Sequence, residues 1–150
     1  MELWEVIARE SIRDLVTRYN SNGDTGRFPQ MIECFAPDAV MEIGEPDDKT
    51  TYRGTGEIIN IFTGAKANWN TELSGDVPAG EKPKHYIRHR IATHQIDFVD
   101  QTHARGRCYY SVIMPHGLDH WGRYFDEYEE RDGRWLFTYR RVTTEGRTPR

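Results

Sequence analysis

The stretch Tyr86-Ile87-Arg88-His89-Arg90-Ile91-Ala92-Thr93-His94-Gln95-Ile96-Asp97-Phe98-Val99 decides the fold. Ile87, His89 and Ile91 recur at every second residue, so they share one face of a strand. Ile96 and Phe98 also share a face, but the parity shifts between Ile91 and Ile96. One extra residue repairs the pattern, and the spacing therefore predicts a β-bulge near Thr93-His94.

Downstream, the period of two continues. Ala104 to Met114 sets Cys108, Tyr110 and Val112 opposite Arg107, Tyr109, Ser111 and Ile113. Trp121 to Arg131 reads as a third strand. Asp132-Gly133 is a two-residue hairpin signal, and Arg134 to Val142 is the returning strand. On that strand Arg140 falls with Leu136 and Thr138, opposite Trp135, Phe137 and Tyr139.

Upstream, the period is helical. Trp4, Ala8, Ile12, Leu15 and Tyr19 form one stripe over residues 2–20, and the turn-rich Asn20 to Gly26 is expected to end that helix. A short helix from Pro29 to Phe35 follows, broken by Ala36-Pro37-Asp38. Ala39 to Ile43 reads as a short strand, Gly44 to Thr51 as a polar loop, and Glu57 to Trp69 as a third helix. Residues 70–84 read as a long loop, a candidate lid. Helices first and strands afterwards make an α+β fold, with helices over one face of a curved antiparallel sheet that can enclose a pocket.

The length of 150 residues fits one domain, 1–150. Apolar residues supply only 37% of the chain, so 4 Trp, 8 Tyr and 6 Phe must carry much of the core. The 20 Lys and Arg stand against 24 Asp and Glu, and a net charge of −4 disfavours nucleic acid as a partner. No run approaches the roughly 18 apolar residues of a membrane span. Met1-Glu2-Leu3-Trp4-Glu5 has neither the basic nor the apolar region of a signal peptide, which leads to the expectation of a cytoplasmic protein. Cys34 and Cys108 match no metal spacing and are expected as free buried thiols.

Histidines stand at 85, 89, 94, 103, 116 and 120. The pairs four apart lie on no predicted helix, and no His-x-His pair lies on a strand, so no metal site is expected. No phosphate-binding motif is present either, so the expected cofactor list is empty. On the residues alone, His89 is either a core histidine bonded to backbone or a general base held in one tautomer by a carboxylate. Asp24, in Asn22-Gly23-Asp24-Thr25-Gly26, is either a turn or cap residue or that carboxylate. Tyr19 and Tyr110 either pack or present hydroxyls to a cavity. His116 either belongs to a loop or faces the pocket, and Arg140 either reaches water at a strand end or faces the pocket too.

The chain resembles the SnoaL-like branch of the nuclear-transport-factor-2-like superfamily, near scytalone dehydratase and hexachlorocyclohexane dehydrochlorinase. The likeness is carried by Ile12-Arg13-Asp14-Leu15, Tyr19 with Asp24, Phe35-Ala36-Pro37-Asp38-Ala39-Val40, Tyr52-Arg53-Gly54, His89 with Ile96-Asp97-Phe98, Gly122-Arg123-Tyr124 leading to Glu127-Tyr128, and Arg131-Asp132-Gly133-Arg134-Trp135. It implies a cone-shaped barrel with an internal pocket and a catalytic pair formed by His89 and Asp24. It also implies Arg140 and His116 as pocket groups. At Gly23 the chain departs from the dehydratase pattern, which has a tyrosine immediately before the aspartate.

The expected activity is that of a cofactor-independent lyase, dehydratase or isomerase on a small, largely apolar cyclic substrate of polyketide, steroid or terpenoid type. The alternative is a non-catalytic ligand-binding protein or an assembly subunit, such as the small subunit of a ring-hydroxylating dioxygenase. An epoxide hydrolase of the same fold would need a pair of carboxylates, and only Asp24 presents itself. Family likeness also implies a homo-oligomer, a dimer or a trimer, with the small-molecule substrate as the other partner.

Overall fold

A computed structural model describes residues 1–66 and 86–149. The element order is α1 (Leu3–Asp24), α2 (Phe28–Ile32), β1 (Phe35–Glu45), β2 (Asp48–Arg53), α3 (Gly54–Lys66), β3 (Arg88–Phe98), β4 (His103–Met114), β5 (Gly117–Arg131) and β6 (Arg134–Arg147). The strands form one curved sheet in the order β2-β1-β6-β5-β4-β3, with the helices against it. The sheet is not closed: β2 and β3 are its edges, so the expected barrel is an open cone. The sheet is also mixed, because β1 runs parallel to β6 while the other neighbours are antiparallel.

The expected bulge in β3 is present. Ala92 pairs with Tyr109 and Gln95 with Arg107, and Thr93 sits between them with φ at 52°. The positive φ is uncommon for a threonine, and the sheet pairs on either side hold it. The bulge turns His94 toward the interior, where its Nε2–H reaches the Tyr128 hydroxyl at 3.1 Å. The Asp132-Gly133 turn also closes β5 onto β6 as expected, with φ values of 51° and 78°.

Three further register shifts lie in β5 and β6. One is at Glu145, between Thr144 and Gly146, and the other two are bulges that were not visible in the periodicity. Asp119 is the extra residue between Leu118 and His120, which pair with Ile113 and Val112. Thr138 is the extra residue between Phe137 and Tyr139, which pair with Tyr128 and Glu127. The second corrects the face assignment on β6: Phe137 and Arg140 are both fully buried, not on opposite faces.

The upstream boundaries also move. α1 continues one turn past Asn20, because Asn20 is itself buried and its side chain donates to the Val16 carbonyl and accepts from Tyr124. α2 ends at Ile32, and β1 begins at Phe35 and runs through Ala36-Pro37-Asp38, since Phe35 already pairs with Phe137. Residues 48–51 are strand and not loop, paired back onto β1 as a hairpin. α3 begins at Gly54, earlier than expected. The end expected for α3 at Trp69, the 70–84 lid and His85 lie outside the described residues.

The core fills the space between α1 and the inner sheet face. Ile12, Val16, Met31, Ile58, Val112, Tyr124, Tyr128 and Phe137 are almost or wholly inaccessible. Each fully buried aliphatic or aromatic side chain of this kind contributes about 1.5–3 kcal/mol. Tyr19 sits edge-on to Phe35, Phe62, Tyr124 and Phe137, with centroids 5.8–6.2 Å away. Cys34 and Cys108 are buried free thiols. No helix among the described residues is long and apolar enough to cross a membrane.

Candidate active site

Asp24 owes its position to how α1 ends. Gly26 takes φ 73°, the Gly26 N–H donates to the Gly23 carbonyl at 3.2 Å, and the Arg27 N–H donates to Asn22 at 2.8 Å. This is a Schellman ending, with glycine at the left-handed position. The turn formers do stop the helix, but one turn later than expected. Asp24 becomes the last helical residue, and its side chain is buried against β3.

Asp24 then makes two bonds to one residue. Its Oδ2 accepts the backbone N–H of His89 at 2.8 Å, and its Oδ1 meets His89 Nδ1 at 2.5 Å. A carboxylate only accepts, so Nδ1 carries a proton, and whenever the ring is neutral Nε2 is the nitrogen with the free lone pair. The first bond fixes the strand and the second fixes the ring. His89 retains partial exposure of its side chain while Asp24 is nearly sealed.

A cavity of about 80 Å³ opens beside this pair, lined among the described residues by Tyr19, Asn20, Asp24, Phe28, Phe62 and His89, together with Gly23, Met31 and Ile87. Gly23 presents no side chain there. Burial pushes the Tyr19 phenol up to about 12, so its hydroxyl stays protonated at any working pH.

The other three expected pocket groups lie elsewhere. Arg140 is fully buried below the cavity, with Nε and Nη2 on the two Asp126 oxygens at 2.7 and 2.9 Å. Its guanidinium lies over Tyr124, Phe137 and Tyr19, at 3.8, 4.3 and 4.5 Å from the ring centres. Burial works against the charge, and Asp126 outweighs it, holding Arg140 above its ordinary range. Nη1 has no hydrogen-bond partner among the described residues. Tyr110 donates its hydroxyl to the Thr143 carbonyl at 2.7 Å and stacks on Tyr124, so that hydroxyl is committed to structure. His116 is half exposed in the turn before β5, with Nε2 3.0 Å from Asp119.

His120 and Asp119 were missed. His120 Nδ1 lies 2.7 Å from Asp119, and its ring sits 6.1 Å from that of Tyr110, which is itself 6.0 Å from that of His89. The signal was the Asp-His dipeptide at the start of a strand, but the bulge that turns Asp119 inward leaves no trace in the alternation. Among the described residues, no group of three or more His, Cys, Asp and Glu is arranged to hold a metal ion.

A histidine pinned by a buried aspartate, at a cavity between a long helix and the concave face of an open sheet, defines a class of α+β domains built around an internal site. The chain belongs to the SnoaL-like domain family, whose model matches residues 4–141. Among solved structures it is similar to LinA (TM-score 0.76, 21% identity, 99% of this chain and 92% of that one). It is likewise similar to a protein of Novosphingobium aromaticivorans assigned as a candidate scytalone dehydratase (TM-score 0.73, 20% identity, 99% and 91% covered). A third similar structure is the beta subunit of a candidate aromatic-ring-hydroxylating dioxygenase from the same organism (TM-score 0.72, 16% identity, 97% and 93% covered). No curated protein matches the chain. These likenesses speak for the fold.

Proposed function

We propose that the protein is a cofactor-independent lyase of dehydratase type, or an isomerase, acting on a small cyclic and largely apolar substrate. Asp24 accepts the Nδ1–H of His89 and leaves Nε2 as the base. His89 takes a proton from a carbon next to a carbonyl, and Asp24 stabilises the imidazolium that forms. In an elimination the C–H electron pair forms the C=C bond as the neighbouring C–O bond breaks, and the imidazolium returns its proton to the departing hydroxide as water. The protonated hydroxyl of Tyr19 is the donor available to a developing oxyanion. The observation that carries this reading is the pair of hydrogen bonds from His89 to Asp24, backbone and ring together. The test is elimination from a panel of cyclic hydroxyketones, wild type against His89→Ala. The reading expects turnover lost in the variant; equal turnover in both abolishes it.

One observation favours a second reading, a ligand carrier or assembly subunit without chemistry. The cavity of about 80 Å³ is small beside the roughly 300–1,000 Å³ of ordinary ligand sites. Co-purification with an iron-containing partner, unaffected by His89→Ala, would support it. In either case we propose self-association through the outer sheet face, where Tyr109 and Trp121 remain exposed, and light scattering on Tyr109→Glu is its check.

A further inference from the structure

We infer that His120 is a second substrate-facing group, an acceptor that selects ring substrates carrying a hydroxyl; this rests on the reading of His89 as the base. His89 pairs with Val112, and Val112 pairs with His120, so the three stand in one row across β3, β4 and β5. Cross-strand partners share a face, and Val112 is fully buried, which makes this the inner face. The two histidine backbones are therefore two strand spacings apart, roughly 10 Å, with the Tyr110 ring within about 6 Å of each imidazole.

The bulge at Asp119 places a carboxylate on His120 Nδ1, as Asp24 does for His89, although here the acid is the preceding residue and bonds the ring. Asp119 is nearly sealed while the His120 side chain keeps partial exposure, so the acid lies behind and the imidazole in front. The Nδ1–H of His120 donates to Asp119 Oδ2 at 2.7 Å. The other oxygen meets His116 Nε2 at 3.0 Å, and Arg147 Nη1 stands 3.8 Å from Oδ2. Burial, helped by Arg147 and His89, outweighs Asp119 and keeps His120 below its ordinary value. At neutral pH its Nε2 is then a lone pair and accepts.

A substrate that gives a C–H to His89 can give an O–H to His120. A polyhalogenated hydrocarbon has no such donor and leaves His120 Nε2 unsatisfied. Asp119 is a positioning residue in this scheme.

The experiment uses 2-naphthol and its methyl ether, 2-methoxynaphthalene, as probes, with dissociation constants from calorimetry. One neutral hydrogen bond predicts that wild type prefers the phenol by about 2- to 12-fold. His120→Phe brings the preference to unity while still binding the ether. The base assignment is read separately, by deuterium exchange at the α-carbon of cyclic ketones in His89→Ala, so the two readings fail independently. In Asp119→Asn, nitrogen NMR shows the His120 proton redistributed between Nδ1 and Nε2, a change that lost packing alone would not produce. A phenol preference that survives in His120→Phe, a preference abolished by His89→Ala alone, or no binding of either probe at millimolar concentration overturns the proposal.

Discussion

Asp24 holds His89 twice, taking its ring proton at 2.5 Å and its backbone N–H at 2.8 Å. One carboxylate from the end of α1 therefore sets both the register of an edge strand against the helix and the tautomer of the imidazole. The two bonds answer differently to Asp24→Asn. The amide oxygen can still accept one N–H, so the fold should survive. The base loses its orienting charge, and turnover should fall about 10²- to 10⁴-fold. Circular dichroism together with kcat separates the two effects.

Arg140 and Asp126 form a sealed ion pair, with both side chains at 0% exposure. Removing one member leaves a buried charge alone. Arg140→Met should destabilise by about 3–5 kcal/mol, and adding Asp126→Leu should recover much of that loss. Urea titrations of the single and double variants check it. A single variant as stable as wild type would contradict the packing described.

Gly122 lets two strands and a ring close up. A Cβ there would overlap the Thr143 carbonyl oxygen and lie 2.9 Å from the Tyr110 hydroxyl. The backbone must shift to admit it, so Gly122→Ala should cost about 1–3 kcal/mol. The midpoint of urea unfolding reads this directly.

Acid should weaken the fold. Burial holds His94 below its ordinary value of 6.5, with Arg140 and Arg13 adding to the effect against Asp126. Burial likewise lowers His120. The unfolded chain then binds protons that the folded chain refuses, so stability is full above pH 6.5 and falls as pH drops toward the folded values. His94→Gln keeps a donor toward Tyr128 and removes the titration. Its stability should decline less between pH 7 and pH 5 than that of wild type, as measured by thermal unfolding at stepped pH.

Phe62 closes one side of the cavity beside His89 and also meets the rings of Tyr19 and Phe28. Phe62→Ala should widen the site and lower KM for bulkier rings relative to small ones. A substrate series of graded size tests this, and an unchanged size ranking would speak against substrate entering there.

His89 and Asp24 could be singled out in the sequence because they interrupt patterns, but their pairing was implied only by the family likeness, and Tyr110, His116 and Arg140, expected at the pocket, lie elsewhere. His89 stands in an apolar alternation, and Asp24 lies in a cluster of turn formers that stops a strong helical stripe. The bulge at Thr93-His94 was legible for the same reason, a shift in parity between two clear apolar runs. What escaped was set by tertiary contacts. Buried Asn20 carries α1 one turn further. The bulge at Thr138 brings Arg140 inward onto Asp126, and the bulge at Asp119 places that acid behind His120. Both lie where the flanking residues are mixed in polarity, so no alternation existed to be broken. The β2 side of the hairpin is made of polar, exposed or half-exposed residues and reads as a loop for the same reason.

The central claim is that His89 removes a carbon-bound proton. It is measured most directly by deuterium incorporation at the α-carbon of cyclic ketones in heavy water, followed by proton NMR. The account predicts exchange accelerated by wild type, lost in His89→Ala and strongly reduced in Asp24→Asn. Exchange that proceeds equally in wild type and His89→Ala contradicts it.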